Sequence, residues 1–174
     1  MHLQDLHLLN FKSWGEGEFE FSPKLNCFVG LNGGGKTNLL DAIHYLCLSK
    51  SYFGNRDQKN IKHEEDFFMI EGNFLRQDEK EHLHISLKKG AKKILKRNKK
   101  EYDKLAEHIG AFPAVVISPY DRDLITDSSD TRRRFLDNVI SQGNNEYLFH
   151  LMRYHKALQQ RNRLLKFFAA NHQF

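Results

Sequence analysis

Residues Gly30-Leu31-Asn32-Gly33-Gly34-Gly35-Lys36-Thr37 set four glycines before a lysine and a hydroxyl in the order GxxxxGK[ST]. Each residue type meets one requirement of a polyphosphate ligand. Glycine allows positive φ, so backbone N–H groups can curl inward with no Cβ in the way, and a helix N-terminus adds partial positive charge. The lysine ammonium reaches the β and γ phosphates, and the threonine hydroxyl can ligate Mg2+. The candidate set for ATP is therefore Gly30, Leu31, Asn32, Gly33, Gly34, Gly35, Lys36, Thr37 and the following Asn38, with Thr37 also on the Mg2+.

Other nucleotide chemistries fit less well. A dinucleotide fingerprint GxGxxG read from Gly33 fails at Asn38, and the guanine-specifying pattern NKxD fails at Glu101 in Asn98-Lys99-Lys100-Glu101. Hydrolysis usually needs an Asp behind four apolar residues to hold the metal. Neither apolar run supplies one, since residues 67–70 end in Glu71 and residues 114–117 run into Ser118-Pro119. No catalytic residue is assigned.

The loop needs a strand before it and a helix after it. Residues 25–29 form a short apolar run, read as a central strand, and Leu39, Leu40, Ile43, Leu46 and Cys47 recur at helical spacing from Lys36 to Leu48. Upstream, Leu6 and Leu8 alternate with Asp5 and His7, and Phe19 and Phe21 with Glu18 and Glu20, predicting a hairpin turned at Gly15-Glu16-Gly17. Strands are further expected at 67–75, 82–87, 92–97 and 114–117, and a helix capped by Asp103 that ends at Gly110. Beyond Asp121 the pattern is helical, over 132–140 and from Asn144 or Asn145 to about Phe168, with Leu148, Leu151, Leu158 and Leu165 on one side.

Composition bounds the rest. The 174 residues carry a net charge of +5. Nine basic residues lie in 88–104 against only Glu101 and Asp103, so the positive excess sits in one segment. Lys92, Lys93, Lys96 and Lys99 are candidate DNA contacts, reading phosphate rather than sequence; the alternative is a solvated sheet edge whose lysines discourage aggregation. Arg132, Arg133 and Arg134 are better read as helix decoration. His82 and His84 share a strand face, but no third metal ligand stands near them in sequence. Cys27 and Cys47 read as reduced, packed thiols. The longest apolar run is far shorter than the roughly 20 residues a membrane helix needs, and residues 1–11 lack the pattern of a secretory leader, so a cytoplasmic protein is expected.

Gly30 to Ile43 resembles the GxNxxGKTNLLEAI block of the SMC-like ATPases, above all the RecF family of bacterial recombination mediators. Leu9-Asn10-Phe11, Phe21-Ser22-Pro23 with Leu25-Asn26, and Ser118-Pro119 with Asp121 are similar to further family segments in the same order. So are Arg132 to Asp137 (RRRFLD) and the run Tyr154, Lys156-Ala157-Leu158, Gln160-Arg161-Asn162, Leu165-Lys166. The resemblance implies an α/β P-loop NTPase: an ABC-type ATPase head lobe I with an antiparallel β subdomain over residues 1–120, then the start of a helical lobe II over 121–174.

It also implies that the signature motif and the Walker B acidic pair lie in a further stretch of about equal length, so this piece should hydrolyse ATP poorly or not at all. Implied partners are gapped DNA, RecO and RecR, together with a second copy in an ATP-dependent homodimer that helps load RecA in repair, replication and the SOS response; no membrane is implied. Lys12 matches a basic position near the nucleotide in related heads, though a solvated strand-end lysine would look the same. The family often has an arginine where this chain has Phe53, with Arg56 three residues on. Two other readings stay open at this point. A P-loop kinase of a small metabolite would need acceptor-site residues and a lid arginine, and an interaction module with a vestigial loop would bind no ATP.

Overall fold

Strict alternation along the first unit fixes which side of its sheet is dry. In the computed structural model, which describes residues 1–54 and 56–171, the chain divides into Met1–Val116 and Ile117–Phe174. In the first unit, β1 (His2–Phe11), β2 (Trp14–Glu20), β3 (Phe67–Arg76), β4 (Glu79–Lys88), β5 (Ile94–Arg97) and β6 (Lys100–Glu101) form one antiparallel sheet. Its strand order is β2-β1-β3-β4-β5-β6. Leu8, Ile70, Ile85 and Leu95 face one another across four strands and are all buried. The adjacent row, His7, Glu71, His84 and Lys96, lies on the polar face. A one-residue slip would exchange the two rows, so burial of the first specifies the register.

The dry face is covered by α1 (Lys36–Leu48). Leu39, Ala42, Tyr45 and Leu46 are buried against the sheet, and Phe11, Tyr45 and Phe68 meet edge-on with ring centroids 5.3–5.9 Å apart. Helix bounds agree with the apolar periodicity, but the buried face differs from the expected one. Leu40 is 48 % exposed, while Tyr45, whose hydroxyl donates to Asp57 Oδ1 at 2.7 Å, is fully buried. A tyrosine with a partner for its hydroxyl can enter a core that hydropathy alone would close to it.

Four further expectations change. The hairpin turns at residues 12–13, not at Gly15-Glu16-Gly17, which belong to β2. Gly17 is required instead by packing, because a Cβ there would lie 2.8 Å from the Phe19 ring. Residues 25–29 and 114–117 form no strand, and Leu25, Val29, Val115 and Ile117 are each more than three-quarters exposed. Strand propensity needs a neighbouring ladder to act on, and none of the six strands pairs with either run. Past Asp103 only a 3-10 turn forms, Leu105–His108. Cys47 is buried, which pushes its thiol up to about 12, but Cys27 is exposed with the loop that carries it.

Among its described residues the second unit contains helices and turns and no strand. A capping box joins Ser118 and Asp121 at the 3-10 turn Pro119–Arg122. It is followed by α2 (Asp123–Thr126), α3 (Ser129–Gly143) and α4 (Asn145–Ala170). Asn144 caps α4 by accepting the Tyr147 N–H at 2.9 Å. Of the apolar stripe of α4, Leu148, Leu151 and Leu158 are partly buried, while Leu165 is about half exposed. No described helix is long and apolar enough to cross a membrane.

Gly72 on β3 lies under α1 with no room for a side chain: a Cβ there would lie 2.7 Å from Leu46 Cδ2 and 3.1 Å from the Asp5 carbonyl oxygen. The carbonyl cannot rotate away as a side chain could. Gly72→Ala is therefore expected to destabilise the first unit by about 1–3 kcal/mol, read as a lower urea midpoint.

Candidate functional site

The glycine loop leads into the first turn of α1. Gly33 and Gly35 both have φ of 82°, and Gly35 is the N-cap of α1 with no side-chain cap of its own. The N–H groups of Lys36, Thr37 and Asn38 precede the first intrahelical bond, Leu39 N–H to the Gly35 carbonyl at 2.9 Å, and so remain available as donors. Gly35 is needed twice over. Its φ is left-handed, and a Cβ there would lie 2.9 Å from Trp14 Nε1, which donates to the Gly35 carbonyl at 3.2 Å. The β1–β2 turn thus grips the loop from below, helped by Asn38 Nδ2 donating to Ser13 Oγ at 2.7 Å.

The rest of the loop is open. Gly30, Leu31, Asn32, Gly33, Gly34 and Thr37 are exposed. Lys36 folds its ammonium onto the loop, donating to the carbonyls of Gly30 at 2.8 Å and Leu31 at 2.7 Å. Those two carbonyls hold the charge above the loop, where an anion can exchange for them.

Beside the loop lies an open, shallow pocket of about 590 Å3 lined by Lys12, Thr37, Asn38, Phe53, Lys59, Ile61 and His63. Among these described lining residues none is acidic. Lys12 is not the solvated strand-end lysine its position could suggest. Its side chain is 12 % exposed, its ammonium pairs with the buried Asp41 of α1 and donates to Ser51 Oγ at 3.4 Å, and it lies 5.1 Å from the centre of the Phe53 ring. Sequence reasoning did not single out Asp41, Phe53, Lys59 or His63 as site residues. The available signal was a lone carboxylate placed mid-helix beside buried apolar positions.

The basic segment separates into two faces. Alternation puts Lys93, Leu95 and Arg97 on the side of the core, and Ile94 and Lys96 on the other. Lys93 is 9 % exposed; it donates to Asp57 Oδ2 at 2.8 Å, to the Ser49 carbonyl that ends α1, and to the Tyr45 hydroxyl at 3.3 Å. Arg97 donates to Glu81, which holds that carboxyl below its usual range, and packs over the Phe112 ring. Lys93 thus spends its donors inside the fold, on Asp57, the Ser49 carbonyl and the Tyr45 hydroxyl, as a structural ion pair. Lys92 and Lys99 are exposed and Lys96 is partly so. On the helical unit, Arg132 binds the carbonyls of Leu124 and Asp127, and Arg133 pairs with Asp130 at 2.7 Å. His84 bonds Glu71 at 2.6 Å, and no group of three metal-ligating side chains occurs among the described residues.

Sheet, buried helix and glycine loop together make an α/β P-loop NTPase domain with an antiparallel sheet, joined in the chain to a helical unit. The chain belongs to the AAA-domain family, whose pattern matches residues 5–173. It is 55 % identical to the DNA replication and repair protein RecF of Flavobacterium johnsoniae over 174 residues, all of this chain and 48 % of that protein. It is 53 % identical to RecF of Phocaeicola vulgatus over 167 residues, 95 % of this chain and 45 % of that protein. The chain thus spans about half the length of the relatives it matches. Among solved structures, the recombination mediator protein RecF-ATP of the RecFOR pathway superposes with a TM-score of 0.90 at 32 % identity, over 94 % of this chain and 44 % of that one. An SMC ATPase structure shares the fold with a TM-score of 0.64 at 18 % identity, over 80 % of this chain and 99 % of that one. These relatives favour the recombination-mediator reading and lend nothing to the small-metabolite kinase.

The Lys93 pair makes a direct test. Lys93→Met is expected to lower stability by about 1–3 kcal/mol, less than for a fully buried pair because Asp57 is 37 % exposed. A shifted denaturation midpoint reads it.

Proposed function

We propose that this chain is the nucleotide-binding portion of an ATP-dependent, DNA-binding recombination mediator acting in DNA replication and repair. The observation that carries the reading is the pinned glycine loop at the head of a buried helix, opening on a cavity whose described lining is basic and aromatic. The donors fit a triphosphate: the first-turn N–H groups of α1, the left-handed Gly33 and Gly35, and an ammonium held by two loop carbonyls. Thr37 would place its hydroxyl on Mg2+, leaving the remaining positions to phosphate oxygens and water, as that ion prefers. A metal held there by Thr37 would supply positive charge to offset that of the triphosphate. The nucleoside would enter the adjoining cavity, with Phe53 and Ile61 offering apolar surface to the base and Lys59 and His63 at the rim.

DNA would be met through Lys92, Lys96 and Lys99, which contact phosphate without reading sequence. The relatives' name, DNA replication and repair protein, and the superposed recombination mediator of the RecFOR pathway support the repair and recombination role; from the family resemblance the reading extends to gapped DNA, RecO and RecR as partners, an ATP-dependent homodimer and the cytoplasm. ATP turnover by this chain should be slow or absent, since no segment of it matches the family's Walker B acidic pair or signature motif.

Two measurements check this. Calorimetric titration with Mg·ATP should give saturable binding that Lys36→Ala weakens at least tenfold, and no heat with the parent chain would refute the loop. DNA affinity should fall with salt, and removing the charges of Lys92, Lys96 and Lys99 should reduce the log–log slope by about 2–3. An unchanged slope would remove that segment from the DNA surface.

A further inference from the structure

Asp41 sits one helical turn beyond Thr37 and is 1 % exposed. It does not line the cavity, yet everything it touches leads there. Its Oδ1 accepts the Tyr52 N–H at 2.7 Å, its Oδ2 accepts the Ser51 hydroxyl at 2.8 Å, and the same oxygen pairs with the Lys12 ammonium. Lys12 and Phe53 are cavity walls, and they stand against each other as cation and ring. One buried carboxylate thus ties three separate stretches of chain: the end of β1, the second turn of α1, and the turn that carries Phe53.

Burying a carboxylate is costly unless it is paired and hydrogen-bonded, and here three donors, one of them an ammonium, serve its two oxygens. The arrangement that satisfies Asp41 is therefore also the one that sets Lys12 and Phe53 at their separation. With its charge matched by Asp41, Lys12 is a poor clamp for a second anion; it serves as a wall, and the phosphates are left to Lys36 and the loop amides. Recognition divides accordingly, with polyphosphate on the loop and nucleoside on the wall.

We infer that Asp41 is a positioning residue for the nucleoside: through Lys12 and the 51–53 turn it holds the wall that makes ATP a better ligand than its bare triphosphate. This rests on the reading of the cavity as the nucleoside site. The loop binds triphosphate without Asp41, whereas the added affinity from the base depends on it.

The test compares Mg·ATP with magnesium tripolyphosphate by calorimetry on the whole 174-residue chain. In the parent, ATP should bind more tightly. Asp41→Asn, which keeps the shape but loses the ammonium's counter-charge, should cut the ratio of the two affinities about tenfold, the size of one lost base–aromatic contact. Phe53→Ala should cut it similarly, and the double variant should lose no more than either alone, since both act through one wall. Should Asp41→Asn unfold, Ser51→Ala removes one donor from the same carboxylate and should lower the ratio in the same direction. A general loosening would weaken both ligands together and leave the ratio intact, which overturns the inference, as would additive losses in the double variant. A parent that binds both ligands equally removes the nucleoside reading and the inference with it, and one that binds neither removes the phosphate loop itself.

Discussion

The burial of α1 against the dry face of the sheet is the constraint on which the site depends. A phosphate loop is a string of permissive residues, and its conformation is held only by what stands at its ends. At the downstream end stand Leu39, Ala42, Tyr45 and Leu46, all closed off from water. They fix the direction of the helix, hence the direction of its first free N–H groups. Trp14 then fixes where the loop enters the helix, by a hydrogen bond to Gly35 and by filling the space a side chain would need.

Ionic pairs finish what packing begins. Lys12 with Asp41 ties the front of α1 to the end of β1, and Lys93 with Asp57 and the Ser49 carbonyl ties its back to the strand entering β5. Both lysines look like surface charge in the sequence. Each is instead a buried or nearly buried cation with a carboxylate partner, costly to break even if its net contribution to stability is modest. The helix that presents the loop is thus held at both ends by charge and along its length by apolar contact.

Much of this was legible beforehand, for identifiable reasons. The loop GxxxxGK[ST] has so few backbone solutions that its type and the helix after it follow from spacing alone, and α1 spans the predicted residues. Strands β3 and β4 were visible because their alternation is long and clean. Three things were hidden. Residues 25–29 and 114–117 have strand composition, but whether a strand forms depends on a neighbour that composition does not specify. Lys93 was hidden by its company: among nine basic residues only the phase set by Leu95 tells which ones turn inward. Asp41 was hidden because a carboxylate inside a helix is ordinarily solvent-facing, and its partners come from segments ten and twenty-nine positions away.

What joins structure to function is the claim that the loop is a polyphosphate receptor whose lysine is parked on its own carbonyls until a ligand arrives. A crystal structure of the chain with Mg2+ and a non-hydrolysable ATP analogue tests that most directly. The β and γ phosphates should lie within hydrogen-bonding distance of the N–H groups from Gly33 to Thr37, with Lys36 released from Gly30 and Leu31 and turned onto the phosphates. A triphosphate bound elsewhere, or a Lys36 still held by those two carbonyls with the analogue in place, would contradict it.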